Sequence, residues 1–174
     1  MYNPKPQKVN CRRSCGNISV PFPFGLEEGC SGREEFQLNC TDVASSTLTF
    51  LWNQYVVSDL NIGKGVLVAS VNSSMEARDR SGPFHSASVV TEDIYWAVSS
   101  LSCQQAQQDI IAYACVSANS TCLDVNYIDN VLGVDTYIGY RCKCVDGFDG
   151  NPYIPNGCQG SLSHTKTTHT YSFD

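Results

Sequence analysis

No stretch of this 174-residue sequence approaches the run of about 18 apolar residues that a membrane-spanning helix needs, so no membrane span is expected. The first residues, MYNPKPQKVN, hold neither an apolar core nor a cleavage site, which excludes a signal peptide there and leaves two expectations, a mature or truncated segment or a true start lying upstream. Histidine is scarce. His85, His164 and His169 fall in no ligand pattern, and Cys142-Lys143-Cys144 is tighter than the Cys-x2–4-Cys spacing of zinc sites, so neither metal nor cofactor is expected. Positive charge is short as well. A net charge of −6 argues against binding nucleic acid. Acid is missing from residues 1–26, which carry Lys5, Lys8, Arg12 and Arg13, whereas residues 41–174 hold six basic and thirteen acidic residues. Gly63-Lys64-Gly65 lacks the spacing of a phosphate loop and bounds two apolar runs instead. No serine–histidine–acid or cysteine–histidine set stands out. The acid pairs Glu27-Glu28, Glu34-Glu35 and Glu92-Asp93 are sequence neighbours, whose side chains point apart in an extended chain. The reading is therefore not an enzyme.

What the sequence has in abundance is cysteine. Cys11, Cys15, Cys30, Cys40, Cys103, Cys115, Cys122, Cys142, Cys144 and Cys158 make an even count spread over the chain, which points to five disulfides and an oxidising compartment. Four Asn-x-Ser/Thr triplets, at Asn17, Asn39, Asn72 and Asn119, agree with a secreted glycoprotein. Short strands are expected in Phe36–Cys40 (FQLNC), Thr47–Trp52 (TLTFLW) and Gly65–Val71 (GVLVASV), from alternation and β-branched content. In Val20–Gly25 (VPFPFG) the prolines favour an extended backbone with Phe22 and Phe24 on one side, as core anchors. Residues 72–88 read as a long polar loop and 94–98 (IYWAV) as a buried strand or turn. Residues 103–115 read as holding one short helix, and 161–174 as a disordered tail.

The stretch GYRCKCVDGFDGNPYIPNGCQ, Gly139–Gln159, is rich in turn pairs and poor in apolar residues. Cys142 and Cys144 leave one face of an extended segment toward different partners, and the turns let Cys158 fold back. Such a loop is too small to build its own core, so disulfides are expected to replace one.

These residues resemble the end of an epidermal-growth-factor-like (EGF-like) module. Together with two further patterns, Trp96–Ala106 and Tyr113–Cys122, the stretch Gly139–Gln159 resembles the extracellular region of plant wall-associated kinases. The block Cys11–Gly25, followed by Gly29-Cys30 and Phe36–Cys40, is similar to the galacturonan-binding domain of that family. The resemblance implies a mainly β, disulfide-rich fold. It would have a tail at 1–10, a small β-type galacturonan-binding-like domain at 11–98, an EGF-like module at 99–159 and a tail at 160–174. It implies pairing of Cys103 with Cys122, Cys115 with Cys142, and Cys144 with Cys158. The pairing of Cys11 and Cys15 with Cys30 and Cys40, crossed or nested, stays open. It further implies a non-catalytic pectin-binding module at the cell wall, in a truncated or soluble form without the kinase. Wall galacturonan would be its partner, with other extracellular proteins possible in principle. The ligand carries one carboxylate per sugar, so Lys8, Arg12, Arg13 and Arg33 are the candidate contacts. The alternative is a protein-binding EGF-like spacer or receptor ectodomain without sugar affinity.

Overall fold

The computed structural model describes residues 2–6, 8–50, 54–71, 84–85, 92–129 and 134–161. Asn72, nearly all of the expected 72–88 loop, Leu51, Trp52 and the tail from 162 onward lie outside the described residues.

The chain is mainly β. A two-residue ribbon, β1 (Ser14–Cys15) with β2 (Ile18–Ser19), opens it. A single 3-10 turn, Glu34–Phe36, then leads into an antiparallel sheet. Its strands are β3 (Asn39–Asp42), β4 (Thr47–Phe50), β5 (Tyr55–Asn61), β6 (Val66–Val71), β7 (Phe84–His85) and β8 (Glu92–Trp96), in the order β3-β4-β5-β6-β8-β7. Register explains the core. Leu48, Val57 and Ala69 are cross-strand partners in one buried row, and Leu67 faces Ile94 in a second. Between them the chain alternates outward, as half-buried antiparallel strands do.

The second half is built on a long ribbon. A capping box between Ser102 and Gln105 starts the one-turn helix α1 (Cys103–Ala106). Strands β9 (Ser120–Asp129) and β10 (Val134–Cys144) then pair over ten residues. The small hairpin β11 (Phe148–Gly150) with β12 (Cys158–Gly160) closes the described chain. A bulge falls between Tyr137 and Gly139. Gly139 adopts φ +134°, and a Cβ there would sit 1.9 Å from the Ser99 carbonyl oxygen. Only glycine lets the ribbon approach this closely, and Tyr140 then exchanges backbone hydrogen bonds with Val98 and Ser99.

Five disulfides tie these pieces: Cys11–Cys30, Cys15–Cys40, Cys103–Cys122, Cys115–Cys142 and Cys144–Cys158. The first two cross each other in sequence, as do the next two. No described cysteine is free.

Three expectations are corrected. The FQLNC segment is a strand only from Asn39. Phe36 and Leu38 keep their alternation into the core, but their backbone bonds go to Gly25 rather than to a neighbouring strand. The VPFPFG segment is a tight turn, not an extended run. Its Phe22–Pro23 bond is cis, and Phe24 N–H donates to Pro21 O across it. Phe22 and Phe24 are both buried all the same. The cysteines of the second half also do not stand in for a core by themselves. Tyr140, Cys142 and Tyr153 belong to the same buried cluster as Phe24, Phe36 and Trp96. Tyr153 lies 5.6 Å from Trp96 between ring centroids, and Asn151 Nδ2 donates to Phe22 O at 2.6 Å.

Tyr153 also closes a buried polar account. Its hydroxyl accepts from Cys142 N–H at 2.8 Å and faces Cys142 O at 3.3 Å. Burial, above all, pushes its pKa up. Tyr153→Phe would orphan a buried backbone N–H, so a stability loss of about 1–3 kcal/mol is expected, read by urea unfolding. A change within experimental error would show that this pair contributes nothing net.

Candidate functional site

The amino-terminal segment is not a free tail. Tyr2 is buried, Asn3 N–H donates to Gly32 O at 2.7 Å, and Lys8 N–H donates to Gly29 O at 3.1 Å. The segment therefore runs beside residues 29–32. A surface cavity of about 510 Å³ lies along residues 28–37, with Asn3 on its amino-terminal side. The residues Asn3, Glu28, Ser31, Arg33, Glu34 and Gln37 line it. Gly29 and Gly32 add backbone to the wall. The Cys11–Cys30 disulfide ties down Cys30, which stands in sequence between the lining residues Gly29 and Ser31, and Glu34 opens the 3-10 turn Glu34–Phe36.

The four cations named from sequence occupy different situations. Lys8 pairs with Glu27 at 2.7 Å. That hydrogen bond, the Lys8 charge and, more weakly, the Arg12 charge hold the exposed Glu27 carboxyl below the ordinary carboxylate range. The pair is thus present above the usual carboxylate pKa and is lost as pH falls through the lowered one. Arg12 is exposed and makes no hydrogen bond or ion pair with a described residue. Arg13 is structural. Its Nη1 donates to Phe24 O at 2.7 Å and its guanidinium lies 5.8 Å from the Phe22 ring centroid. Burial lowers its pKa. Arg33 lies in the cavity wall, held by two bonds to Glu35 at 2.9 and 3.2 Å and one to Val98 O at 3.3 Å.

The structure thus gathers Lys8, Arg12 and Arg33 around the strip from Glu27 to Arg33, and turns Arg13 inward. Sequence reasoning missed Asn3, Glu28, Glu34 and Gln37 as cavity residues. The acids were visible as pairs, but nothing in the sequence joins Asn3 to Gln37. Among the described residues, no group of three His, Cys, Asp or Glu side chains is placed to hold a metal, and no helix is long and apolar enough to cross a membrane. Of the glycosylation candidates, Asn17 is exposed on the β1–β2 turn and Asn39 is exposed on the edge strand β3. Asn119 is half-buried.

Residues 11–71, which contain most of this cavity wall, match the protein family described as wall-associated receptor kinase galacturonan-binding. Its relatives are wall-associated receptor kinases. Wall-associated receptor kinase 2 of Arabidopsis thaliana is 39% identical over 77 residues, 44% of this chain and 9% of the relative. Wall-associated receptor kinase 5 of the same plant is 35% identical over the same length and share. Wall-associated receptor kinase 4 is 73% identical over 22 residues, 13% of this chain and 3% of that protein. The chain therefore matches less than a tenth of the length of these curated relatives. No solved structure matches.

Proposed function

We propose that this chain is a non-catalytic extracellular module that binds pectin of the cell wall through its amino-terminal half. The observation that carries the reading is the family match at residues 11–71, because the polar cavity with Arg33 in its wall lies almost wholly inside that segment. The organisation proposed is a galacturonan-binding-like domain at 11–98 and an EGF-like module at 99–159. Glycans are proposed on Asn17, Asn39, Asn72 and Asn119. Arg12, Lys8 and the unspent N–H groups of Arg33 are the proposed contacts to sugar carboxylates. Arg13, which supports the Phe22–Phe24 turn, is left out of the contact set.

Immobilised pectin tests this. Wild-type binding is expected to be weak and to fall between ~0.1 M and ~1 M salt as the screening length shortens. Arg12→Ala is expected to weaken it by up to about fivefold, since one exposed pair is worth ~0–1 kcal/mol, with near-ultraviolet circular dichroism unchanged. Salt-insensitive binding that Arg12→Ala leaves at the parental level would remove these cations from the site. A second reading, a protein-binding spacer, draws on the exposed Ile128, Val134 and Tyr137 of the β9–β10 ribbon. It predicts an undiminished partner complex when pectin is absent.

A further inference from the structure

The family match begins at residue 11, yet Tyr2 is only 7% exposed and belongs to the buried cluster of the molecule. Its ring centroid lies 6.4 Å from that of Phe22. The ring also lies against Gly32, where an added Cβ would come within 2.6 Å of Tyr2 Cε2. The Tyr2 hydroxyl is buried without a hydrogen-bond partner among the described residues. A buried polar group left unpaired opposes folding, so the ring alone makes the anchor. Beside it, Asn3 N–H donates to Gly32 O, and further along Lys8 N–H donates to Gly29 O. Pro4 and Pro6 restrict φ between those two bonds. Beyond Lys8, Cys11 is tied to Cys30. The stretch that carries Lys8 is thus held at both ends.

Resting on the pectin-binding reading, we propose that Tyr2 is a positioning residue of the sugar site, whose buried ring sets where Lys8 meets a galacturonan carboxylate. The Lys8 side chain is half exposed. Its ammonium spends one N–H donor on Glu27 and keeps the others. The charges of Lys8 and Arg12 both act on the Glu27 carboxylate, so two cations stand near one acid and an excess of positive charge remains for the ligand. A lysine on an unanchored stretch would sample many positions, and binding would have to restrict them. With Tyr2 seated in the core, that restriction is already made when the chain folds. Galacturonan carries its carboxylates at a regular spacing, so a cation at a fixed place suits it better than a wandering one. The site therefore reaches upstream of the matched segment. Tyr2, being buried, acts on the ligand only through Lys8.

The test combines amide hydrogen exchange with calorimetric titration of one unesterified galacturonan oligomer into the whole chain at low salt. In the parent, the Asn3 and Lys8 amides are expected to exchange more slowly than those of an unstructured peptide. Lys8→Ala is expected to weaken parental binding about threefold, within the range of one exposed pair. In Tyr2→Ala both amides are expected to lose protection, and adding Lys8→Ala is expected to change affinity by less than about 1.5-fold. Gly32→Ala leaves Tyr2 intact but crowds its ring, and is expected to erase the Lys8 effect in the same way. Tyr2→Phe keeps the ring and is expected to keep both the protection and the loss of about threefold on Lys8→Ala. A merely structural Tyr2 would lower stability and leave the Lys8→Ala effect at its parental size in every background, and that result overturns the proposal. So do unprotected parental amides, a Tyr2→Ala chain that does not fold, and a Lys8→Ala chain that binds like the parent. These results leave pectin binding itself standing. A parent that binds no oligomer overturns the pectin reading, and the role of Tyr2 with it.

Discussion

Trp96→Ala is expected to cost about 3–5 kcal/mol and to loosen both halves of the molecule together. Trp96 is fully buried. It lies edge-on to Phe24 at 5.2 Å and to Phe36 at 5.6 Å between ring centroids, and tilted against Tyr153 at 5.6 Å. Its Nε1 has no hydrogen-bond partner among the described residues, so its contribution is packing. Truncation would leave a cavity where the first half, through Phe24 and Phe36, meets the second, through Tyr153. The measurement is urea unfolding followed by tryptophan-independent near-ultraviolet signals of tyrosine and by proteolysis of residues 99–161. One cooperative transition, moved to lower urea, is the expected result. If residues 99–161 keep their parental protection while the first half unfolds, the two halves do not share a core.

Removing the Cys115–Cys142 disulfide by Cys115→Ala with Cys142→Ala is the other large effect. The bond closes a sequence separation of 27 residues, for which chain-entropy reasoning gives about 3.5 kcal/mol. Both cysteines are also buried in the shared cluster, so their truncation adds lost packing. Cys144–Cys158 closes a shorter separation of 14 residues, and Cys144 is only half-buried although Cys158 is buried, so its removal is expected to cost less, about 3 kcal/mol. Denaturant unfolding of the two double variants gives the order. A larger loss for Cys144–Cys158 would show that strain or residual structure in the unfolded chain, not loop length and burial, governs these bonds.

Much of the strand pattern is legible in the residues themselves. Leu67 and Ala69 in β6, and Ile94 and Trp96 in β8, alternate inward because successive strand side chains point to opposite faces. The short helix is legible from its formers, and Ser102 with Gln105 supplies the capping box. The turn at Phe22–Pro23 is not legible. Proline confines its own φ, but whether the preceding bond is cis depends on what Phe22 and Phe24 pack against. The division of labour among cations is equally hidden. Arg12 and Arg13 are adjacent and chemically identical, yet one is exposed and the other is anchored to Phe24 O.

The sequence by itself determined that the chain is disulfide-rich and mainly β, and that its residues 11–71 are similar to the galacturonan-binding family of wall-associated receptor kinases. Local rules suffice for these, since alternation, turn residues and cysteine spacing act over a few residues at a time. Tertiary structure alone decided that Tyr140 and Tyr153 pack into the core of the first half. It alone bonded Asn3 to Gly32 and Lys8 to Gly29, brought Asn3 to the surface cavity along 28–37, and put Glu28 and Glu34 in its wall with Arg33. Those outcomes depend on which distant surfaces exclude water together, and burial is a property of the assembled chain rather than of any segment of it.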